Sequence, residues 1–267
     1  MKYLNHAWRW FATAVSFAAF GIGAFALSIL MMPVALVAAV TPWGKKPATQ
    51  RMLRRQVGRA VSTQVWLMSS LGVLDYDIRG YDPKDSDGPL LILANHPSLI
   101  DVVFLLSIFP EAQCVVKSAL WRNPFTHLLM RCSGYISNIN PEEILSRSVA
   151  SLKRGNTLIL FPEGTRSQPG SELDFKAGAA TIAVRANVDV LPVLINVSPT
   201  TLTKADHWYE VPANKVLMQM SVKARIKPDE AMLEREGLRS GARRFNSELQ
   251  AWFNSALQKE FAGSKRL

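Results

Sequence analysis

The stretch LLILANHPSLIDVVFLL, residues 90–106, joins two apolar runs through a short polar patch. The first run, Leu90–Ala94, is typical of a buried strand, and Pro97 suits the first turn of a helix, where its missing amide donor is not needed. His96 lies between them, and Asp101 lies about one turn into the expected helix. In open α/β sheets, ligands bind where a strand ends and a helix begins. The stretch therefore predicts such a sheet, with a ligand site at this strand end.

The rest of the chain alternates between short apolar runs and longer segments with helical periodicity. The expected strands cover residues 89–94, 113–117, 134–137, 157–162, 190–197 and 216–226. The expected helices cover about 51–74, 99–109, 122–132, 141–153, 176–187 and 239–261. Alternation of this kind predicts an α/β fold with a mostly parallel sheet flanked by helices.

Residues 11–40 form a long apolar segment without a single charge. The apolar region of a cleaved signal peptide has roughly 7–15 residues. One membrane helix needs about 20 residues, and two would need about 40. The segment therefore predicts a retained, membrane-embedded helical region. It is either one long tilted span or a pair of helices that turns near Pro33 and returns to the same side.

A basic cluster follows this segment directly, and residues 41–59 contain no acidic residue. The cluster consists of Lys45, Lys46, Arg51, Arg54, Arg55 and Arg59. Lys and Arg next to a membrane segment are typical of its cytoplasmic side. A net charge of +10 also suits nucleic acid, but the apolar neighbour favours anionic lipid, and we expect no nucleic-acid partner. We predict a cell (inner) membrane protein with its catalytic domain on the cytoplasmic face.

These features predict two domains. Residues 1–74 would form a membrane anchor with a basic amphipathic helix, and residues 75–267 an α/β catalytic domain. The four histidines and two cysteines show no spacing typical of a metal site. We therefore expect no bound metal and two reduced cysteines.

His96 and Asp101 suggest acid–base chemistry at the first strand end. A carboxylate can accept the N–H of the imidazole ring, fix its tautomer and raise its basicity. The other ring nitrogen can then take a proton from a substrate hydroxyl. In the alternative interpretation His96 is structural and Asp101 only complements the positive helix N-terminus.

The stretch TLILFPEGTRS, residues 157–167, repeats the arrangement of a strand followed by a polar turn. The turn contains Glu163, Gly164, Thr165 and Arg166. Glycine allows a ligand to approach the backbone closely, and the donor fork of arginine suits phosphate. Two such turns at strand ends predict one shared site.

Together, NHPSLID (95–101) and FPEGTRS (161–167) resemble two blocks of the phospholipid-synthesis acyltransferases of the lysophosphatidate acyltransferase (1-acylglycerol-3-phosphate O-acyltransferase) type. The resemblance covers roughly residues 75–200, and FKAGAATIA (175–183) followed by VLPVLINV (190–197) is similar to a later block. It implies transfer of a fatty acyl chain from an acyl-carrier-protein or coenzyme A thioester to the hydroxyl of a lyso-lipid. The thioester is a co-substrate, and no cofactor is implied.

The resemblance also implies residue roles. His96 would act as the base and Asp101 would orient it. Glu163, Gly164, Thr165 and Arg166 would position the acceptor, which the resemblance suggests is 1-acylglycerol-3-phosphate.

The run GYISNIN, residues 134–140, departs from the family pattern. The family usually has a phosphate-gripping arginine here, whereas this chain has Asn140, or Asn138 in a shifted register. Lys117 or Arg131 could substitute for it. Because this arginine is missing, the acceptor is left open, and a lyso-aminolipid, a lyso-glycolipid or a specialised lipid is an alternative to 1-acylglycerol-3-phosphate. A non-catalytic lipid-binding module with the same fold is the alternative from another class, and the intact His96 and Asp101 argue against it.

Overall fold

The computed structural model describes residues 2–86 and 88–262. The chain divides into two compact units. The first unit consists of Met1–Val73 and Val102–Ile144, and the second of Leu74–Asp101 and Leu145–Leu267. The first unit thus contains the expected anchoring segment together with a later part of the chain. The predicted division into two domains at residue 74 stays a prediction.

Strands and helices alternate along most of the chain, as expected. The strands are β1 (Leu74–Arg79), β2 (Leu90–Ala94), β3 (Gln113–Val116), β4 (Ile136–Ser137), β5 (Thr157–Leu160), β6 (Asp189–Ser198) and β7 (Val216–Val222). The α-helices are α1 (Lys2–Val40), α2 (Pro47–Ser70), α3 (Asp101–Ile108), α4 (Ser118–Arg122), α5 (Pro124–Cys132), α6 (Pro141–Lys153), α7 (Gly178–Ala186) and α8 (Glu230–Phe261).

The second unit is built on five strands in the order β1–β7–β6–β2–β5. All neighbours pair in parallel except β6 and β7, which are antiparallel. The residues of β2 are all buried, as expected for a strand covered on both faces. Because β2 and β5 run in parallel and in register, the polar turns that follow them emerge at the same edge of the sheet. The predicted mostly parallel α/β fold is confirmed.

Two sequence-based boundaries are wrong. Helix α2 ends at Ser70 rather than residue 74, because Gly72 adopts a positive φ of 73° and its amide turns back onto Ser69. The following residues form β1, a strand that periodicity did not reveal. Glu230–Phe261 consists of two helical parts that meet at Gly237, whose φ of 77° and ψ of 159° are not helical. The second part confirms the helix expected over about 239–261, and the first part, whose start the Asp229 carboxylate caps, was not expected. Strand β7 ends at Val222, four residues before the expected end.

In the first unit, residues 2–40 form one continuous helix that passes through Pro33. This rules out the alternative of a pair of helices turning at that proline. The helix lies along α2: the Trp8 indole donates to the Leu71 carbonyl at 3.1 Å, and the Gln64 amide donates to the Ser16 carbonyl at 2.9 Å. Asn5–Val40 is long and apolar enough to cross a membrane, by length and composition alone.

Arg54 differs from the rest of the predicted basic cluster, because it is fully buried. Its Nε donates to the Glu111 carbonyl at 2.5 Å and its Nη1 to the Ser133 carbonyl at 2.8 Å. Burial lowers the pKa of Arg54 to about 10. Arg54 therefore ties α2 to the rest of the first unit, and its predicted role as a lipid contact is wrong. Arg55 and Arg59 are exposed.

Candidate active site

Asn95 continues the hydrogen-bond ladder beyond the end of β2. Its side-chain amide donates to the Ile195 carbonyl at 2.7 Å, and its side-chain oxygen accepts from the Ile195 amide at 2.8 Å. The backbone pairing of β2 with β6 ends just before this point, at Ala94 and Val193. The buried Asn95 therefore fixes where the chain leaves the sheet and hence where His96 begins.

His96 and Asp101 form the predicted hydrogen-bonded pair. The His96 Nδ1 lies 2.9 Å from the Asp101 Oδ2, which also accepts the Ser98 amide at 2.7 Å. Because a carboxylate can only accept here, we place the proton on Nδ1, and Nε2 remains the ring nitrogen that can accept a proton. The ring stacks on Phe161 with centroids 4.0 Å apart, and 17% of the His96 side chain is exposed.

Glu163 holds the backbone of the first motif. Its Oε1 accepts the His96 amide at 3.0 Å and the Ser167 hydroxyl at 2.8 Å. The Ser167 amide in turn donates to the His96 carbonyl at 2.8 Å. Burial raises the pKa of Glu163 above its usual value, although both hydrogen bonds act in the opposite direction. The geometry gives Glu163 a part in positioning His96, in addition to the acceptor contact that the resemblance implies.

Arg166 contacts the chain that follows β6. Its Nη1 donates to the Leu202 carbonyl at 2.8 Å and to the Thr203 carbonyl at 2.6 Å. The guanidinium is half-buried, and its remaining donors suit a substrate anion. Gly164 has a positive φ of 70°, and both it and Thr165 are exposed. The turn after β5 thus combines two residues fixed to the protein, Glu163 and Arg166, with two that are open to a ligand.

Lys117, the remaining predicted binding residue, belongs to the first unit, where it is exposed and directly precedes α4. The first unit also contains Asn138 and Asn140 of the run GYISNIN (134–140), which differs from the family pattern. The Asn138 side chain accepts the Ser118 amide at 2.9 Å, and the Asn140 side chain accepts the Glu142 amide at 2.9 Å at the start of α6. Both asparagines therefore shape the local backbone and supply no positive charge.

Burial raises the pKa of Asp101 to about 6, although the hydrogen bond and the charge of His96 act in the opposite direction. The carboxyl is completely buried, and its Oδ1 has no hydrogen-bond partner among the described residues. In the part of the chain that the structure describes, no group of three His, Cys, Asp or Glu side chains is placed to hold a metal.

We expect turnover to fall as the pH drops through about 6, well above the ordinary aspartate pKa of about 3.9. Protonation of the Asp101 carboxyl removes the negative charge that stabilises the imidazolium formed on His96 during the reaction, so turnover falls. The measurement is kcat against pH between 4 and 9. A profile that is flat down to pH 4.5 would contradict this assignment, and a thermal melt at each pH serves as the control for unfolding.

A family model matches the part of the chain that contains the two motifs. Residues 75–196 match the family model described as Acyltransferase. A putative 1-acyl-sn-glycerol-3-phosphate acyltransferase of Caenorhabditis elegans, acl-2, is 35% identical over 45% of this chain and 45% of its own length. The human 1-acyl-sn-glycerol-3-phosphate acyltransferase beta is 28% identical over 53% of this chain and 56% of its own length. The matched stretch thus spans about half of each relative.

A solved structure matches over a longer range. The crystal structure of the 1-acyl-sn-glycerophosphate acyltransferase PlsC from Thermotoga maritima superimposes with a TM-score of 0.60, covering 91% of this chain and 98% of that chain. At 22% identity this likeness establishes the fold alone. The two motifs lie within residues 75–196, the stretch that the family model matches. The resemblance seen in the sequence is thus confirmed: residues 75–196 match the acyltransferase family model, and the curated relatives that the chain resembles are named 1-acyl-sn-glycerol-3-phosphate acyltransferases.

Proposed function

We propose that this protein transfers a fatty acyl chain from an acyl thioester, carried by acyl-carrier protein or coenzyme A, to the hydroxyl of 1-acylglycerol-3-phosphate. One observation carries the proposal: the imidazole of His96 is held by the buried Asp101 at 2.9 Å, at the sheet edge where the Glu163–Arg166 turn also emerges. The names of the curated relatives support the same acceptor.

The His96 side chain acts as a general base in the proposed mechanism. Its Nε2 takes the proton of the acceptor hydroxyl while that oxygen attacks the thioester carbonyl carbon. Asp101 stabilises the imidazolium that forms. The tetrahedral intermediate then collapses, the carbon–sulfur bond breaks, and the imidazolium returns the proton to the departing thiolate. The products are an ester and a free thiol, and His96 is neutral again.

Direct attack by the acceptor fits the hydrogen bonds of the nearby hydroxyl side chains. The Ser98 hydroxyl donates to the Thr201 carbonyl at 2.9 Å, and the Ser167 hydroxyl donates to Glu163. Neither has a hydrogen bond to the His96 ring that would activate it as a nucleophile. We therefore propose a ternary complex with no acyl-enzyme.

A thiol-release assay tests this proposal. The full chain is incubated with an acyl thioester, and free thiol is followed with a chromogenic reagent before and after 1-acylglycerol-3-phosphate is added. We expect release to depend on the acceptor and to match the phosphatidate formed. A burst of thiol that equals the enzyme concentration without acceptor would indicate an acyl-enzyme. Release that is independent of acceptor would indicate a hydrolase.

We further propose that the first unit attaches the protein to the cell (inner) membrane, with the second unit on the cytoplasmic face. Only 17% of the most apolar stretch of helix α1 is buried within the protein. At a rise of about 1.5 Å per residue, the helix is longer than the roughly 30 Å hydrocarbon layer of a bilayer. Its exposed large apolar side chains are Trp8, Trp10, Phe11, Phe20, Ile22, Phe25, Ile29, Leu30, Leu36, Val37 and Val40. The exposed Arg59 on α2 suits anionic headgroups, whereas Arg55 is paired with the Glu111 carboxylate.

The membrane proposal predicts how the protein is released. We expect the full chain to stay with the membrane fraction at high salt and to be extracted by detergent, because apolar burial is not screened by ions. Sedimentation followed by immunoblotting measures both fractions. A peripheral protein known to be bound by charge alone is the control. Release by salt alone would show that only the basic residues attach the protein.

A phosphate-free lyso-lipid is the second candidate acceptor. It is favoured by Asn138 and Asn140, which stand where the family usually has an arginine and which both bond to local backbone amides. If the acceptor carries a phosphate, Arg166 must provide much of the binding of that phosphate. Comparing the two acceptors therefore tests what Arg166 contributes.

Arg166→Lys should raise the KM for 1-acylglycerol-3-phosphate several-fold, with a smaller change in the thioester KM, because lysine lacks the two-pronged donor geometry. Ser98→Ala is the matched control, since it also loses a hydrogen bond to the chain after β6 but leaves the Arg166 guanidinium in place. If each variant raised the KM of the phosphate-bearing acceptor no more than that of the phosphate-free acceptor, a contact between Arg166 and the phosphate would be contradicted. That result would leave Arg166 with a purely positioning role.

A further inference from the structure

The chain that follows β6 is tied to both motifs. The Ser98 hydroxyl donates to the Thr201 carbonyl at 2.9 Å, and the Leu99 amide donates to the Leu202 carbonyl at 3.0 Å. Arg166 donates to the Leu202 carbonyl and also to that of Thr203, the next residue. Three successive carbonyls are thus held by residues of the two motifs. The position of this segment is coupled to that of His96.

A compact turn, residues 204–210, follows directly and is here named the aromatic turn. The Asp206 carboxylate accepts the Thr203 amide at 2.9 Å, and the Glu210 carboxylate accepts the His207 amide at 3.3 Å. The His207 ring stacks on Tyr209 with centroids 5.1 Å apart and planes 5° from parallel. The two acidic side chains are therefore bonded within the turn, which has a defined conformation.

The aromatic turn presents large side chains to solvent. Trp208 is 50% exposed and Tyr209 is 49% exposed, and Lys204 on the same turn is also exposed. Trp and Tyr combine an apolar ring with a polar group, and they concentrate at the boundary between lipid and water. The charge of Lys204 is offset by Asp206 and Glu210 on the same turn, so the preference for lipid rests on the two aromatic side chains. This combination suits the headgroup layer of a bilayer better than an apolar protein partner.

We propose that the aromatic turn is a lipid-contacting element, in which Trp208 and Tyr209 enter the headgroup layer of the bilayer that holds the acceptor. The hydrogen bonds to Thr201, Leu202 and Thr203 would then hold the motifs at the surface from which the acceptor arrives. The role in acceptor delivery rests on the proposed function. The lipid contact itself does not, and it is tested without any turnover.

Quenching of tryptophan fluorescence by brominated phospholipid tests the contact directly. The full chain is mixed with phosphatidylglycerol vesicles that contain brominated acyl chains, which quench tryptophans seated in the bilayer. We expect Trp208→Phe to remove part of the quenchable signal. The matched control is Trp252→Phe, which changes the part-exposed tryptophan of α8 in the same unit and should leave that signal unchanged. Equal quenched signals in wild type and Trp208→Phe would overturn the proposal.

Kinetics test the consequence for the acceptor. In the double variant Trp208→Ala, Tyr209→Ala we expect the apparent KM for acceptor in vesicles to rise several-fold with kcat retained. The KM for a short-chain, water-soluble acceptor should not change. An equal rise for both acceptors would overturn the role in delivery in favour of direct acceptor binding. No rise for either acceptor would also overturn the role in delivery. If the wild type acylates neither acceptor, the proposed function fails, while the quenching result still decides the lipid contact.

Discussion

Replacing His96 by alanine should reduce acyl transfer by roughly 10²- to 10⁴-fold, the range expected when a general base is lost. The fold should remain intact, because the contacts that order this turn belong to the backbone. The His96 amide and carbonyl are held by Glu163 and Ser167, and both bonds survive the substitution. The measurement is kcat with saturating acceptor and thioester, together with the melting temperature of the variant.

His127→Ala provides the control for this variant. Its ring bonds to the Trp121 carbonyl at 2.7 Å in the first unit, and it has no part in the proposed chemistry. Near-normal turnover in His96→Ala would end the general-base mechanism. A loss of turnover accompanied by a large drop in melting temperature would instead assign His96 a structural role.

Asp101→Asn should reduce turnover by roughly 10²-fold or more, the lower range for loss of general-base function. The amide has nearly the shape of the carboxylate, so its oxygen can still accept the Ser98 amide. It cannot stabilise a charged imidazolium, and it permits the wrong tautomer of His96. The fall in kcat near pH 6 should also move or disappear, because the group with the raised pKa is gone.

A second substitution separates charge from packing at this position. Asp101→Ala removes the partner of the buried Ser98 amide, and an unpaired buried donor costs about 1–3 kcal/mol of stability. We expect both variants to lose activity, and only the alanine variant to melt at a clearly lower temperature. Wild-type turnover in Asp101→Asn would show that the carboxylate does not support the histidine.

The main features of the candidate site could be predicted because they depend on short-range pattern. His96 and Asp101 are five residues apart, so a strand followed by a helix is enough to bring them together. Glu163 and Arg166 follow a second apolar strand in the same way. The family match confirms the resemblance that these two stretches indicate, while the residue roles stay predictions.

The supporting contacts could not be predicted, because their partners are remote in the sequence. Asn95 bonds to Ile195, 100 residues away, and Ser98 bonds to Thr201, 103 residues away. A polar side chain in a turn gives no sign of which distant carbonyl it will meet. A buried strand that ends in an asparagine was the one available signal for Asn95, since a buried amide needs partners.

Other parts of the fold escaped prediction for different physical reasons. β1 reads LDYDIR, where alternating polar residues do not resemble the apolar strands of the sheet interior, because β1 lies at an edge. Arg54 has the same chemistry as the half-buried Arg51 and the exposed Arg55. Its burial depends on carbonyls supplied by residues 111 and 133, which only tertiary structure brings to it.

We propose that this chain uses His96 to move an acyl group from a thioester to the hydroxyl of a lyso-lipid. The most direct measurement incubates purified wild-type protein and His96→Ala with a labelled acyl thioester and a panel of lyso-lipids, with and without a phosphate headgroup, and identifies the labelled lipid. We predict labelled phosphatidate from 1-acylglycerol-3-phosphate with the wild type and almost none with His96→Ala. Labelled product from no lyso-lipid, or equal product from both proteins, would contradict the account.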